Sequence, residues 1–261
     1  MKAIPIGMYV PGDSILHRLD PRVKMGVTLV LMTIPFAIHS PWSYLTLSAF
    51  IATLVLLAGV PPRTLWRTLR TVFGIAFLMF FLYLFTTPGE PLLAVGPIAL
   101  TWQGVLAAGG QIYRLCLLVI TASLLTFTTS PMQLTHGLEA MLSPLERVRL
   151  PVRELAMVLT IALRFVPTLQ EEIDKLAKAQ RARGADFTGG PLRRARNLVP
   201  IFVPIFVSAF RRADELATAM DARGFRSTPH RTRMRRLHLG YRDLLAMLIV
   251  LGLVLTLIGL G

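Results

Sequence analysis

The chain has 261 residues, 54% of them hydrophobic, a mean hydropathy of +0.60 and a formal net charge of +14. That apolar content is above the usual range for soluble domains and points to a membrane protein. With one cysteine, Cys116, inside an apolar run, an internal disulfide and a Cys-based metal site are excluded. Charge and apolarity are segregated: twenty of the 28 Lys and Arg lie between residues 142 and 243.

Residues 1–12 hold Lys2 but no apolar core, and Pro5 and Pro11 interrupt them, so they do not read as a cleavable signal. A spanning helix needs about 20 mostly apolar residues. Five candidates follow in chain order: residues 25–39, with Pro35 near the end; residues 42–60; residues 72–87, with Phe73, Phe77, Phe80, Phe81 and Phe85; residues 104–128, containing Arg114; and residues 244–261. Basic residues orient them. Arg18, Arg22 and Lys24 precede the first, Arg63, Arg67 and Arg70 fall between the second and third, and a strongly basic section follows the fourth. The connections 39–41 and 87–103 contain neither Lys nor Arg. This alternation predicts a cytoplasmic N-terminus and a C-terminus outside.

The section 130–241 reads as cytoplasmic rather than as two more spans. Its apolar stretches 155–163 and 198–207 are short and run into Arg164 and Pro167, and into Arg211 and Arg212. Both continue as amphipathic helices. Leu155, Leu159, Ala162, Val166, Leu169, Ile173 and Leu176 recur at steps of four and three, as do Phe206, Phe210, Ala213, Ala217 and Met220. The first helix is predicted over 152–183, with a kink at Pro167; Pro200 and Pro204 act similarly in the second. The chain thus divides into a transmembrane bundle (1–129), a helical region (130–241) and a final span (242–261).

An internal repeat ends both helices: Leu176–Gly184 reads LAKAQRARG and Leu216–Gly224 reads LATAMDARG. Glycine just past a helix end takes left-handed dihedrals at low cost and stops the helix. Arginine in the last turn complements the negative end of the helix dipole. Alanines keep the tip narrow, and a guanidinium suits carboxylates or carbonyls in a receiving groove. One such end is an ordinary cap; two matched copies imply two similar receptor sites.

These tips, together with the stretch from Ser14 to Lys24 (SILHRLDPRVK), Leu163-Arg-Phe-Val-Pro167 and Arg212-Ala-Asp-Glu-Leu-Ala, resemble the transmembrane T component of energy-coupling factor (ECF) transporters, the EcfT/CbiQ family. The resemblance covers essentially the whole chain. It implies an all-α polytopic membrane protein whose two long cytoplasmic coupling helices cross as an X between the fourth and fifth spans. It also implies two ABC-type ATPase subunits and one substrate-binding integral membrane S component, for vitamin or metal-ion uptake across a bacterial or archaeal plasma membrane. By position match, Ala182, Arg183 and Gly184 form one ATPase-docking tip, and Ala222, Arg223 and Gly224 the other.

Other polar features have plainer readings. Arg114, about halfway along the fourth candidate, needs a polar neighbour and is either structural or a contact to the membrane partner. Asp20-Pro21-Arg22 reads as a capped helix start, or as a contact to the coupling helices. Glu171, Glu172 and Asp174 read as a solvated face paired at i,i+4 with Lys175 and Lys178. His17, His39, His136, His230 and His238 have no ligand spacing, and no metal or other cofactor is expected. The Arg-rich run 229–236 flanks a membrane and suits anionic headgroups rather than nucleic acid. No Gly-x-x-x-x-Gly-Lys-Ser/Thr loop is present, so no catalytic residue is assigned and ATP hydrolysis is expected in a partner. An intramembrane enzyme built on the carboxylates near Glu171 lacks a second acidic motif. A self-contained permease lacks the polar residues that a solute path through the spans would need.

Overall fold

The computed structural model describes residues 9–38, 40–88, 91–95, 98–148, 151–184, 190–225 and 239–260. The chain separates into two compact units, Met1–Met141 with Leu237–Gly261, and Leu142–Arg236. His39, His230, His238 and the Arg-rich run 229–236 lie outside the described residues.

The first unit is a helical bundle: α1 (Pro21–Ala37), α2 (Pro41–Ala58), α3 (Pro62–Thr86), α4 (Trp102–Thr128), α5 (Pro131–Leu142) and α8 (Tyr241–Leu260). Proline opens α1, α2 and α3, where its missing N–H costs nothing and its fixed φ suits the first turn. Gly59, at φ +66°, ends α2. By length and composition α2, α3, α4 and Tyr241–Gly259 of α8 can each cross a membrane. The first candidate falls short of that length: α1 has 17 residues and carries Arg22 and Lys24 in its opening turn. It nonetheless shares the core. Leu31, Ile34 and Ile38 pack with Leu47 and Ile51 of α2, Leu117 of α4, and Leu253 and Leu257 of α8.

Two features depart from the sequence expectation. The third helix begins ten residues before the expected 72, so Arg63, Arg67 and Arg70 stand on α3 and not in a loop. Pro62 starts the helix there, and helix-compatible Leu, Thr and Arg carry it to the apolar part. The connection to α4 is not purely irregular either. Strands β1 (Pro91–Val95) and β2 (Ile98–Thr101) pair antiparallel, with Leu93 opposite Leu100 and Val95 opposite Ile98, the only strands among the described residues. The sequence sign was a Gly96-Pro97 turn pair between two apolar runs.

The base of the bundle is closed by polar contacts. Asp20 caps α1, its Oδ1 accepting from the Arg22 N–H at 2.9 Å. The Asp20 N–H itself donates to Asp243 Oδ1 at 2.7 Å, and Asp243 Oδ2 accepts from Gly240 N–H at 2.9 Å, so one carboxylate ties the start of α8 to the start of α1. Lys24 Nζ donates to the carbonyls of His17 and Thr128, each at 3.1 Å, bringing in the end of α4. His17 Nε2 donates to the Val10 carbonyl at 3.0 Å, which leaves Nδ1 to accept from the Ser14 hydroxyl at 2.7 Å. Asp20, Lys24 and Asp243 are all buried. Burial pushes the pKa of the Lys24 ammonium down to about 8, and the attraction of Asp243 and Asp20 offsets only part of that cost.

The second unit holds a short 3₁₀ turn (Ser143–Val148), α6 (Val152–Ala182) and α7 (Pro191–Ala222). Helix α5 groups with the bundle. At 1.5 Å per residue, α6 and α7 are each roughly 46–48 Å long. Ile161, Phe165 and Leu169 of α6 and Ala209, Ala213, Leu216, Ala217 and Met220 of α7 line the groove between them. Glu172 pairs across this contact with Arg212 at 3.2 Å, in place of the expected pairing along its own helix. The expected apolar faces are only partly used: Leu155, Phe206 and Phe210 remain 61%, 59% and 68% exposed. Two long rods that meet over a few turns cannot cover each other along their full length.

Asp243→Ala removes the acceptor for two backbone N–H groups and a counter-charge for Lys24. It is expected to cost on the order of 3–5 kcal/mol, seen as a lowered thermal unfolding midpoint of the detergent-solubilised chain, with Asp243→Asn intermediate.

Candidate functional site: two matched helix ends

The repeated sequence folds into a repeated geometry. Arg183, closing α6, has φ −86° and ψ 8°; Arg223, closing α7, has φ −85° and ψ 6°. The Arg183 N–H donates to the carbonyls of Ala179 (3.2 Å) and Gln180 (3.1 Å), and the Arg223 N–H to those of Ala219 (3.3 Å) and Met220 (3.2 Å). The glycines follow in the left-handed region, Gly184 at φ +87° and Gly224 at φ +68°. Their N–H groups donate to Arg181 O and Asp221 O, both at 2.9 Å.

At the second end the Phe225 N–H also donates to Met220 O at 3.0 Å, completing a Schellman cap. No atom stands within 4 Å of a Cβ built on either glycine, so backbone conformation, not crowding, demands glycine here. Ala182, Arg183, Gly184, Ala222, Arg223 and Gly224 are all exposed. Among the described residues neither Arg183 nor Arg223 forms an ion pair. Each end therefore presents a narrow alanine turn, an abrupt stop and a guanidinium able to donate to an outside acceptor.

Arg114 sits elsewhere, in the bundle. Its Nε donates to the Tyr44 hydroxyl at 2.5 Å, with the guanidinium carbon 5.6 Å from the centre of that ring. The Tyr44 hydroxyl faces the carbonyls of Pro35 (2.8 Å) and Ile38 (3.1 Å). Tyr44 lies near the start of α2 and Pro35 near the end of α1, so Arg114 stands level with the α1–α2 turn. It is midway along its own helix because α4, with 27 residues, is longer than α1 and α2, with 17 and 18. Sequence reasoning demanded a polar neighbour for Arg114 but did not name Tyr44, which lies 70 positions away and is visible only as a tyrosine among apolar residues. Lys24 and Asp243 were missed as partners for the same reason: 219 positions separate them, and nothing local links them. Among the described residues no group of His, Cys, Asp and Glu could hold a metal ion.

A family model described as "CbiQ: Cobalt transport protein" matches residues 12–234, a stretch that takes in Asp20 and Lys24, helices α1–α7 and both helix ends. The chain belongs to this family. Its relatives include proteins named "Energy-coupling factor transporter transmembrane protein EcfT". That of Thermosediminibacter oceani is 46% identical over 94% of this chain and 93% of its own length. That of Ruminiclostridium cellulolyticum is 44% identical over 94% and 92%, and that of Bacillus subtilis 42% identical over 91% and 90%. The chain is a multi-pass membrane protein of the EcfT/CbiQ type, a transmembrane component of energy-coupling factor transporters.

Replacing Gly184 or Gly224 with alanine forces a Cβ into the left-handed region, at a cost of about 1–2 kcal/mol for each helix end. Hydrogen–deuterium exchange should show faster exchange of the Arg183, Gly184, Arg223, Gly224 and Phe225 amides, with the bundle helices unchanged.

Proposed function

We propose that this chain couples ATP hydrolysis to uptake, as the membrane scaffold of an ECF-type importer. The observation that carries the reading is the pair of exposed, geometrically matched Ala-Arg-Gly ends on helices α6 and α7. Two like plugs call for two like sockets, which two ABC-type ATPase subunits would supply. Ala182, Arg183 and Gly184 dock into one, and Ala222, Arg223 and Gly224 into the other, each arginine donating to carboxylate or carbonyl oxygens of its groove. ATP-driven closure of the ATPases moves the two ends, and the long helices carry that motion to a substrate-capturing membrane subunit for a vitamin or metal ion. The absence of a phosphate loop from this sequence supports placing hydrolysis in the partners and assigning no enzymatic step to this chain.

The double variant Arg183→Glu/Arg223→Glu should lose co-purification of both ATPases and all ATP-dependent uptake, while each single variant keeps part of both. A double variant that still retained both ATPases and still transported would overturn the reading.

The same reading places both helix ends and the N-terminus in the cytoplasm of a bacterial or archaeal cell, and the C-terminus outside. The support is the alternation of basic and uncharged connections. In a Cys116→Ala background, a cysteine appended after Gly261 should react in intact cells with a membrane-impermeant maleimide. One placed at Arg183 should react only after permeabilisation; the reverse pattern would invert the topology.

A further inference from the structure

Helix α3 carries a face that neither the bundle nor the proposed coupling uses. Ala76 and Leu84 turn inward, and α3 packs on α4. The outward side presents, from the first turn upward, Arg63, Arg67 and Arg70, then Gly74, then Phe77, Phe81 and Phe85, all exposed. At about 100° per residue these seven positions fall within roughly 80° of arc, so they form one straight stripe. Phe77 and Phe81 meet at a tilt with ring centres 4.6 Å apart, Phe81 and Phe85 at 6.1 Å, and Trp66 flanks the arginines. Among the described residues none of the three arginines forms an ion pair.

The dimensions match one leaflet. From Gly74 to Phe85 the helix rises about 16 Å, against about 15 Å for half of a bilayer's hydrocarbon core. From Arg63 to Arg70 it rises about 10 Å, the scale of the headgroup layer. Basic residues that merely orient a span need only lie on the correct side of it. Here they share a line with an unbroken apolar stripe, separated by a glycine with open space above it. Arginine is the side chain suited to phosphate oxygens, and the positive end of the α3 dipole adds to the attraction.

We propose that this face of α3 binds an anionic phospholipid, with its phosphate on Arg63, Arg67 and Arg70 and its acyl chains along Phe77, Phe81 and Phe85. Charge complementarity selects the ligand: three uncompensated guanidiniums at headgroup depth attract an anionic lipid over a zwitterionic one. The site does not depend on the coupling role.

The test uses the full chain, purified and stripped of lipid in detergent, then titrated with phosphatidylglycerol or phosphatidylcholine. Bound lipid is read by native mass spectrometry and the thermal midpoint in parallel. Phosphatidylglycerol should stay bound and raise the midpoint, and phosphatidylcholine should do neither. Arg63→Gln/Arg67→Gln/Arg70→Gln should weaken phosphatidylglycerol binding by roughly fivefold per arginine removed, with the lipid-free midpoint unchanged; Lys175→Gln/Lys178→Gln should bind as the wild type does. Should the triple variant not fold, single Arg67→Gln and Arg70→Gln chains carry the same fivefold expectation. Equal response to both lipids, unaltered binding by the arginine variants, or an equal loss in the lysine variant would overturn the proposal. So would a triple variant that keeps its lipid response but sheds a membrane protein partner, which would assign the face to that partner.

Discussion

Hydrocarbon offers a peptide group no hydrogen-bond partner, so a chain crossing it must satisfy each N–H and C=O within itself. That constraint explains why α2, α3, α4 and α8 are long uninterrupted helices, and why turns and charges collect at their ends. It also explains the polar base of the bundle. Where the helices begin and end, Asp20, Lys24 and Asp243 can exchange water for one another and for the carbonyls of His17 and Thr128. Apolar packing among Leu31, Leu47, Leu117 and Leu257 holds the shafts together, and the carboxylate of Asp243 fixes which shafts meet at the base.

The second unit follows a different rule. Helices α6 and α7 carry charges along their length and end in left-handed glycines rather than in a turn back onto themselves. Small residues on α7, namely Ala209, Ala213 and Ala217, let the helices approach where they meet, and Glu172 with Arg212 closes the edge of that contact. A half-exposed pair of this kind contributes about 1 kcal/mol, so it sets register more than it holds the helices together. Among the described residues no ion pair uses the guanidiniums of the matched ends.

Tyr44 shows how far a local rule reaches. An arginine in an apolar helix requires a polar neighbour, and that requirement can be read from Arg114 alone. The neighbour's identity cannot. It follows from α4 being longer than α1 and α2, which brings Arg114 level with the turn where the Tyr44 hydroxyl and two free carbonyls lie. The β1–β2 ribbon was missed for the opposite reason: its turn signal at Gly96-Pro97 was local and present, but lay inside a connection judged by its charge alone.

Periodicity, breakers and charge placement are properties of neighbouring residues. They were enough for the helical class, the first long amphipathic helix over nearly its full extent, the second from residue 198 onward, and the two tips down to the glycine that ends each. The motif from Ser14 to Lys24 signalled importance without disclosing its contacts. Only the tertiary structure decided that the Asp20 N–H meets Asp243 across 223 positions with Lys24 within reach of its charge, that Glu172 reaches Arg212 rather than a lysine on its own helix, and that Leu155, Phe206 and Phe210 stay exposed. The reason is physical. Local backbone choices depend on a residue and its neighbours within a turn or two, whereas a buried charge is tolerated only where distant segments converge to satisfy it.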